Sequence, residues 1–352
     1  MPRLRRVDCS GPGISRRPHG RGFTYADPRG RRLRDRETLA RIRALSIPPA
    51  WTDVWICPLP NGHIQATGLD ARGRRQYRYH DAWRARRDAE KFDHMLEFAR
   101  LLPSVREACA KHLAGRGLTR NRVLACATRL LDLGFFRIGT EGYAEENQTY
   151  GLATMRKDQA SLSGDVVTFD YASKGRKQRV QSVVDRQVVA VVRSLKRRRD
   201  GHAELLAYRR GREWVDVRSR DINDFIKELT GGDFTAKDFR TWTATVLAAV
   251  GLAVSTEART ATARKRAVSR AVKEAAHYLG NTPAVCRASY LDPRVIDAYL
   301  GGSTIRATLG RLGEDARPGE LATQGPIEGA VLRLLESASE AGERAAADRD
   351  AA

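Results

Sequence analysis

Cysteine is scarce in this 352-residue chain, and Cys9, Cys57, Cys109, Cys126 and Cys286 are scattered, odd in number and without a CxxC pair. That spacing implies neither a disulfide framework nor a zinc site. The seven histidines show no HxH or HExxH spacing, so metal-dependent nuclease or hydrolase chemistry has little support. No run approaches the roughly 18 apolar residues of a membrane span, and the arginine-rich start lacks an apolar signal core. The expectation is a cytosolic protein without membrane partner, cofactor or metal. Acidic residues are also in short supply, 42 against 63 lysines and arginines, for a formal net charge of +21. An excess this large makes a polyanion the first expected partner. Arginine-rich usage also suits a genome rich in G and C. Residues 301–352 hold six arginines and nine acids, which leaves 57 basic against 33 acidic residues in the first 300. The basic surface therefore belongs to those 300.

The length allows one large or two ordinary domains, and two are expected. Residues 1–20 mix arginines with Gly11, Pro12, Gly13, Pro18 and Gly20, which predicts a flexible basic arm. Residues 21–90 hold short strand-like runs, GFTYAD, WTDVWICPL, GHIQATGLD and RRQYRYH, with TLARIRAL as a short helix. Turn residues between them predict a small antiparallel β-domain. From Asp81 the periods become helical, and residues 91–310 form the second expected domain. Pro103 fits the first turn of a helix, and Gly115 and Gly134 fit helix stops. The exception is SLSGDVVTFDYASKGRKQRVQSVV, which alternates like a hairpin and places Lys174 at its tip. In the helix ending at Leu279, Val268, Val272, Ala275 and Leu279 form an apolar stripe, and Arg259, Arg266, Arg270, Lys273 and His277 form a second stripe facing away from it. A basic stripe of this kind is either a solvated face or a polyanion contact. Residues 311–352 are expected to form a weakly ordered tail with one amphipathic stretch, IEGAVLRLLESA. The fold class is α+β.

Five separated residues suit one chemistry: Arg137 in FFRIGTE, Lys174 in YASKGRK, Arg240 in TAKDFRTW, and Asn281 and Tyr290 in LGNTPAVCRASYLDP. Breaking a phosphodiester without metal requires stabilising extra negative charge on phosphorus, which paired guanidiniums do better than lysine. The departing 5′-oxygen needs a proton, and a lysine whose pKa is depressed by nearby arginines supplies one. A tyrosine nucleophile conserves the bond energy in a phosphotyrosyl ester, so religation needs no ATP. Taken singly, each arginine is more often a surface charge, and Tyr290 more often a core aromatic.

Joint context decides, because the blocks GFTY, IPPAWTDVWI, GHIQATG, RRQYRYH, FFRIGTE, TYGLATMR, TAKDFRTW and the segment from Leu279 to Pro293 occur in order. Over roughly residues 20–300 the chain resembles the type IB DNA topoisomerases of the bacterial and poxvirus type. The resemblance implies a C-shaped clamp on double-stranded DNA, acting as a monomer at the nucleoid, and relaxation of supercoils through a transient 3′-phosphotyrosyl link. It implies that Arg137 and Arg240 grip the scissile phosphate, that Lys174 is the general acid and that Tyr290 is the nucleophile. Asn281 stands where viral and nuclear relatives carry histidine, so a neutral amide replaces a charged donor. Lys237, one helical turn before Arg240, is an auxiliary candidate near the leaving group. Gln76, Tyr77 and Tyr79 resemble base and backbone contacts in the major groove, and Arg87 resembles a phosphate contact. Tyr77 and Tyr79 share a strand face, so burial in the β-domain core competes with DNA contact. Two other functions fit part of the pattern: a tyrosine recombinase or integrase, and a DNA-binding nucleoid protein with an inactive site. Recombinases usually carry histidine at the spacing of Lys237 and a helical domain in front, whereas here a β-domain precedes.

Overall fold

A computed structural model describes residues 3–134, 136–141, 144, 148–255, 258–311 and 321–350. The chain divides into two compact units, Met1–Asp93 and His94–Ala352, both α+β in content.

The first unit is a five-stranded sheet in the order β2-β1-β3-β4-β5, with every pairing antiparallel. Its strands are β1 (Ile14–His19), β2 (Gly22–Ala26), β3 (Thr52–Ile56), β4 (Ile64–Leu69) and β5 (Arg75–Tyr79). Helix α1 (Arg36–Ala44) starts at Asp35, whose carboxylate accepts from the Thr38 N–H. Ile14, Ile42, Val54, Ile56 and Ala66 form the core. The flexible arm expected over residues 1–20 is corrected here: β1 lies inside the sheet, and Arg5 bridges Gly62. Arg16 lies 4.1 Å over the Phe23 ring and donates to the Pro48 carbonyl at 3.1 Å, so this arginine of the expected flexible arm is a structural tie.

Helix α2 (Asp81–Leu113) carries the chain from the first unit into the second. Pro103 lies inside this helix and not in the first turn of a new one, as its sequence context had indicated. Leu102 and Val105 are both buried, so core packing on either side of the proline offsets the lost backbone bond. Helix α3 (Arg120–Gly134) follows, nearly all of it buried. Next come β6 (Ala160–Ser163), β7 (Val166–Ser173) and β8 (Lys177–Val184), an antiparallel sheet in that order. Helix α4 (Arg186–Lys196) is capped by Asp185. The hairpin β9 (Ala207–Arg210) and β10 (Glu213–Asp216) turns at Gly211, where φ is +64°. The alternation of AYRRGREWV around that glycine is the signal for this pair, which had not been anticipated.

Helices α5 (Ser219–Thr230), α6 (Ala236–Ala253), α7 (Ala261–Leu279), α8 (Pro283–Ser289) and α9 (Pro293–Leu300) complete the chain up to residue 300. In α7 the Val268, Val272, Ala275 and Leu279 stripe is buried, and Arg266, Arg270, Lys273 and His277 are exposed. Among the described residues no helix is long and apolar enough to cross a membrane.

The weakly ordered tail expected from residue 311 is also corrected, with residues 312–320 outside the described set. Helix α10 (Pro326–Asp350) buries Ile327, Val331 and Leu335 completely. Each such side chain contributes about 1.5–3 kcal/mol relative to exposure. Glu328, one residue after Ile327, accepts from Arg106 at 2.6 Å and from the Trp242 indole at 2.8 Å. Burial penalises the Arg106 charge, but Asp132 and Glu328 more than offset that and hold the guanidinium firmly protonated. Glu328→Ala should therefore lower unfolding free energy by about 3 kcal/mol, because a buried guanidinium loses half its carboxylate shell. Urea unfolding checks this, and a change below about 0.5 kcal/mol would mean that the Glu328 contacts with Arg106 and Trp242 add nothing to the fold.

Candidate active site

The segment after α3 carries Arg137, and its conformation is set by two glycines. Gly139 has φ of +77°, and a Cβ there would meet the Gly151 Cα at 2.8 Å. The Leu152 and Ala153 N–H groups donate to the Arg137 and Ile138 carbonyls at 2.8 and 2.7 Å. FFRIGTE and TYGLATMR are thus two sides of one backbone joint. On α6, Thr235 caps the helix and accepts from the Lys237 N–H at 3.3 Å, which fixes the first turn. Arg240, one turn further, is 5% exposed. Lys174 stands at the start of the turn between β7 and β8, exposed, and Gly175 and Arg176 adopt φ of +80° and +57° to close that turn.

Helix α7 ends at Gly280, in the left-handed conformation with φ of +64°. Asn281 follows, and its backbone N–H donates to the Ala276 carbonyl at 2.9 Å. Thr282 caps α8, at whose far end Tyr290 stands as C-cap, half-buried, with its N–H donating to the Cys286 carbonyl at 3.0 Å. Thr245 of α6 donates to the Tyr290 carbonyl at 3.4 Å and accepts from the Asp292 N–H at 3.2 Å. The nucleophile candidate is thereby tied by its backbone to the helix that carries Arg240.

These elements bring the separated residues together. Arg137, Lys174, Lys237, Arg240 and Tyr290 line one open cleft. Arg137 Nη2 donates to the Gly280 carbonyl at 2.8 Å and to the Asn281 side-chain oxygen. That bond orients the amide: Asn281 Nδ2 is left buried without a hydrogen-bond partner. Arg240 Nη2 donates to the Leu279 carbonyl at 2.9 Å, and its guanidinium carbon lies 5.2 Å from the centre of the Tyr290 ring.

Arg179 on β8 completes the series, donating to the Tyr278 carbonyl at 2.7 Å. Three guanidiniums from three separate segments therefore hold three successive carbonyls at the end of α7. Helix C-termini carry partial negative charge and leave such carbonyls unmatched, so the arrangement is favourable in the free protein. Burial lowers the Arg240 pKa to about 10, with Tyr290 opposing and Arg137 adding to the shift. Arg137 is also lowered, first by burial, with Tyr290 opposing and Arg179 reinforcing. Cations crowded and desolvated in this way gain most from a bound anion.

Gln76, Tyr77, Tyr79 and Arg87 lie in the other unit. Tyr77 and Tyr79 are 43% and 38% exposed, and their rings stack with centroids 5.9 Å apart, so the strand face they share is not core. The Gln76 amide donates to Asp70 at 2.9 Å, and Arg87 pairs with Glu90 at 2.9 Å on the surface of α2. Surface pairs of this type are worth under about 1 kcal/mol and release readily. Sequence spacing had shown no metal-ligand set, yet folding brings His202, Glu204 and Asp216 together with one ligand atom each within 4.8 Å of the others. Arg198 stands 3.9 Å from Asp216, a competing cation, and none of the three residues lines the cleft around Tyr290.

A family model for the catalytic core of eukaryotic DNA topoisomerase I matches residues 80–299. A second, for the N-terminal domain of bacterial DNA topoisomerase IB, matches residues 22–70. The chain belongs to the type IB DNA topoisomerase family. It is 31% identical over 294 residues to DNA topoisomerase 1B of Acanthamoeba polyphaga mimivirus, covering 82% of this chain and 87% of that protein. DNA topoisomerase 1B of vaccinia virus (strain Copenhagen) is 21% identical over 231 residues, covering 65% of this chain and 70% of the viral one. Membership makes the chain an isomerase by family, and the β-domain match separates it from the recombinases.

Gly139→Ala tests the joint beneath Arg137. The new methyl would face backbone that cannot swing aside, in a conformation that disfavours side chains. The expected cost is about 2 kcal/mol or more of stability, seen by thermal unfolding, and wild-type stability would contradict the close approach of Gly139 and Gly151.

Proposed function

We propose that the protein relaxes supercoiled duplex DNA by nicking one strand through Tyr290, permitting strand rotation and resealing the nick without ATP. The observation that carries this is the convergence of Tyr290 with Arg137, Arg240 and Lys174 on one cleft, in a site rich in cations.

The Tyr290 oxygen attacks the scissile phosphorus and loses its proton to water. The bond from phosphorus to the 5′-oxygen breaks, and Lys174 protonates that oxygen. Arg137 and Arg240 leave the α7 carbonyls to hold the nonbridging oxygens as negative charge develops, each contributing about 2.7–4 kcal/mol of transition-state stabilisation. The Nδ2 donor of Asn281 has no other partner and serves a nonbridging oxygen in place of a histidine. Lys237, exposed and in the same cleft, assists near the leaving group. Resealing is the same path reversed, with the 5′-hydroxyl attacking and Lys174 accepting its proton.

In the β-domain, the exposed Tyr77 and Tyr79 faces and the Gln76 amide read the major groove, and Arg87 exchanges Glu90 for a phosphate. The enzyme acts as a monomer on the nucleoid in the cytoplasm. Its phosphate contacts make affinity fall steeply with salt, so turnover peaks at intermediate ionic strength, where release is faster but binding persists.

Plasmid relaxation in EDTA is the first test, and a strict magnesium requirement for cleavage would contradict the side-chain mechanism. Tyr290→Phe should bind DNA as wild type does while losing relaxation and covalent adducts. A Tyr290→Phe protein that still relaxes plasmid refutes the nucleophile assignment. Arg137→Lys and Arg240→Lys should each slow cleavage by about 10²–10³-fold. Lys174→Ala should show a comparable defect with the normal 5′-oxygen leaving group and a much smaller one with a 5′-sulfur, which departs without a proton. Equal defects on the two substrates would remove Lys174 from the acid role.

A further inference from the structure

We infer that Arg179 is a positioning residue for cleavage, fastening the hairpin that carries Lys174 to the turn that carries Asn281. The inference rests on the topoisomerase reading above. Arg179 lies on β8 five residues beyond Lys174, opposite Tyr171 in the strand register. Along β8 the inward positions are Arg179, Gln181 and Val183, whereas Gln178, Val180 and Ser182 face out. Gln181 accepts from the buried Tyr171 hydroxyl at 2.7 Å and donates to the Gly134 carbonyl at the end of α3. The inner face of the hairpin is therefore fixed to the catalytic unit at two places, and Arg179 is the one nearer Lys174.

The contact made by Arg179 is shaped as well as charged. Its Nη2 donates to the Tyr278 carbonyl at 2.7 Å, one residue before the carbonyl held by Arg240 and two before the carbonyl held by Arg137. The guanidinium also comes close to Gly280 through its Nη1 end: a Cβ there would stand 2.1 Å from Nη1 and 3.0 Å from Cζ. Gly280 suits this place through its φ of +64°, and any side chain there would have to displace the end of Arg179. Arg179 thus links the hairpin to residues 278–281 by a hydrogen bond to Tyr278 and a close approach to Gly280. When DNA draws Arg137 and Arg240 from their carbonyls onto a phosphate, Arg179 keeps its own and holds the turn. Asn281 then stays in register with Lys174 while the charges move. Misplacement of a reacting group by about 1 Å costs as much as 10²-fold in rate, so loss of this tie is felt in the chemical step.

The test compares wild type, Arg179→Ala and Arg179→Lys by single-turnover cleavage at saturating enzyme, duplex affinity, and hydrogen exchange of the Asn281 amide in the free protein. Arg179→Ala should cleave about 10–100-fold more slowly, with Kd changed less than about 3-fold, and its Asn281 amide should exchange at least about 10-fold faster. Arg179→Lys, which keeps a donor for the Tyr278 carbonyl, should recover most of the rate and the protection. Cleavage by Arg179→Ala at the wild-type rate would overturn the inference. So would an affinity loss as large as the rate loss, which marks a direct DNA contact, or slower cleavage with unchanged exchange at Asn281. If the wild-type protein forms no covalent adduct, the topoisomerase reading fails while the exchange measurement still reports on the brace. Should Arg179→Ala not fold, Arg179→Lys is compared with wild type alone: near-wild-type cleavage and Asn281 protection support the inference, and cleavage slowed by more than about 10-fold overturns it.

Discussion

The site depends on the attraction between guanidinium groups and the carbonyls that end α7. Tyr278, Leu279 and Gly280 each give a carbonyl to a different arginine, Arg179, Arg240 and Arg137. Those arginines come from a strand, a helix and a loop, so the helix end is where separate parts of the unit are indexed to one another. Buried cations without phosphate are costly, and the partial negative charge of a helix C-terminus offsets part of that cost. The carbonyls do for the free protein what phosphate oxygens do in the proposed complex. Exchange of one set for the other gives each guanidinium an oxygen partner in both states, so the cations are already gathered at the cleft when phosphate arrives, which is the preorganisation that electrostatic catalysis requires.

The remaining construction serves that helix end. Gly139 against Gly151 sets the loop of Arg137, and Thr245 ties the Tyr290 backbone to α6. Ala244, Ala275, Ala276, Leu279 and Cys286 pack as one small-residue core beneath Tyr290, bringing α6, α7 and α8 close together. Acidic residues take part in holding α10: Asp132 and Glu328 hold Arg106 in the interior, and Glu336 pairs with Arg100 at the surface at 2.7 Å. Part of the acidic tail is thereby spent on docking α10, so its presence does not neutralise the basic face expected to meet DNA.

Much of this was legible in the sequence where residue type and local geometry coincide. The α+β division followed from the change of period near Asp81, and the hairpin tip at Lys174 followed from alternation around Ser-Lys-Gly-Arg. The pairing of Arg137 with Arg240 came from motif blocks, since 63 basic residues hide any two. Arg179 was not legible for the same reason: nothing in RKQRVQ marks which arginine turns inward, and its partner lies 99 positions away at Tyr278. Residues 1–20 misled because glycine and proline there serve close packing, with Gly13 against Trp55, as well as they would serve disorder. The tail misled because its alanines and glutamates look solvated until Arg106 and Trp242 supply partners from more than 80 residues away. Pairings at such distances leave no local period.

Presentation of a phosphodiester to Tyr290 by the cation cluster at the end of α7 is the step on which the proposed chemistry turns. It is tested most directly by trapping the reaction with denaturant on a duplex substrate, digesting the protein and locating the attached nucleotide by mass spectrometry. A single modified peptide with the 3′-phosphate on Tyr290 is the expected result. Attachment to any other residue, or cleaved DNA with no protein attached, would contradict it.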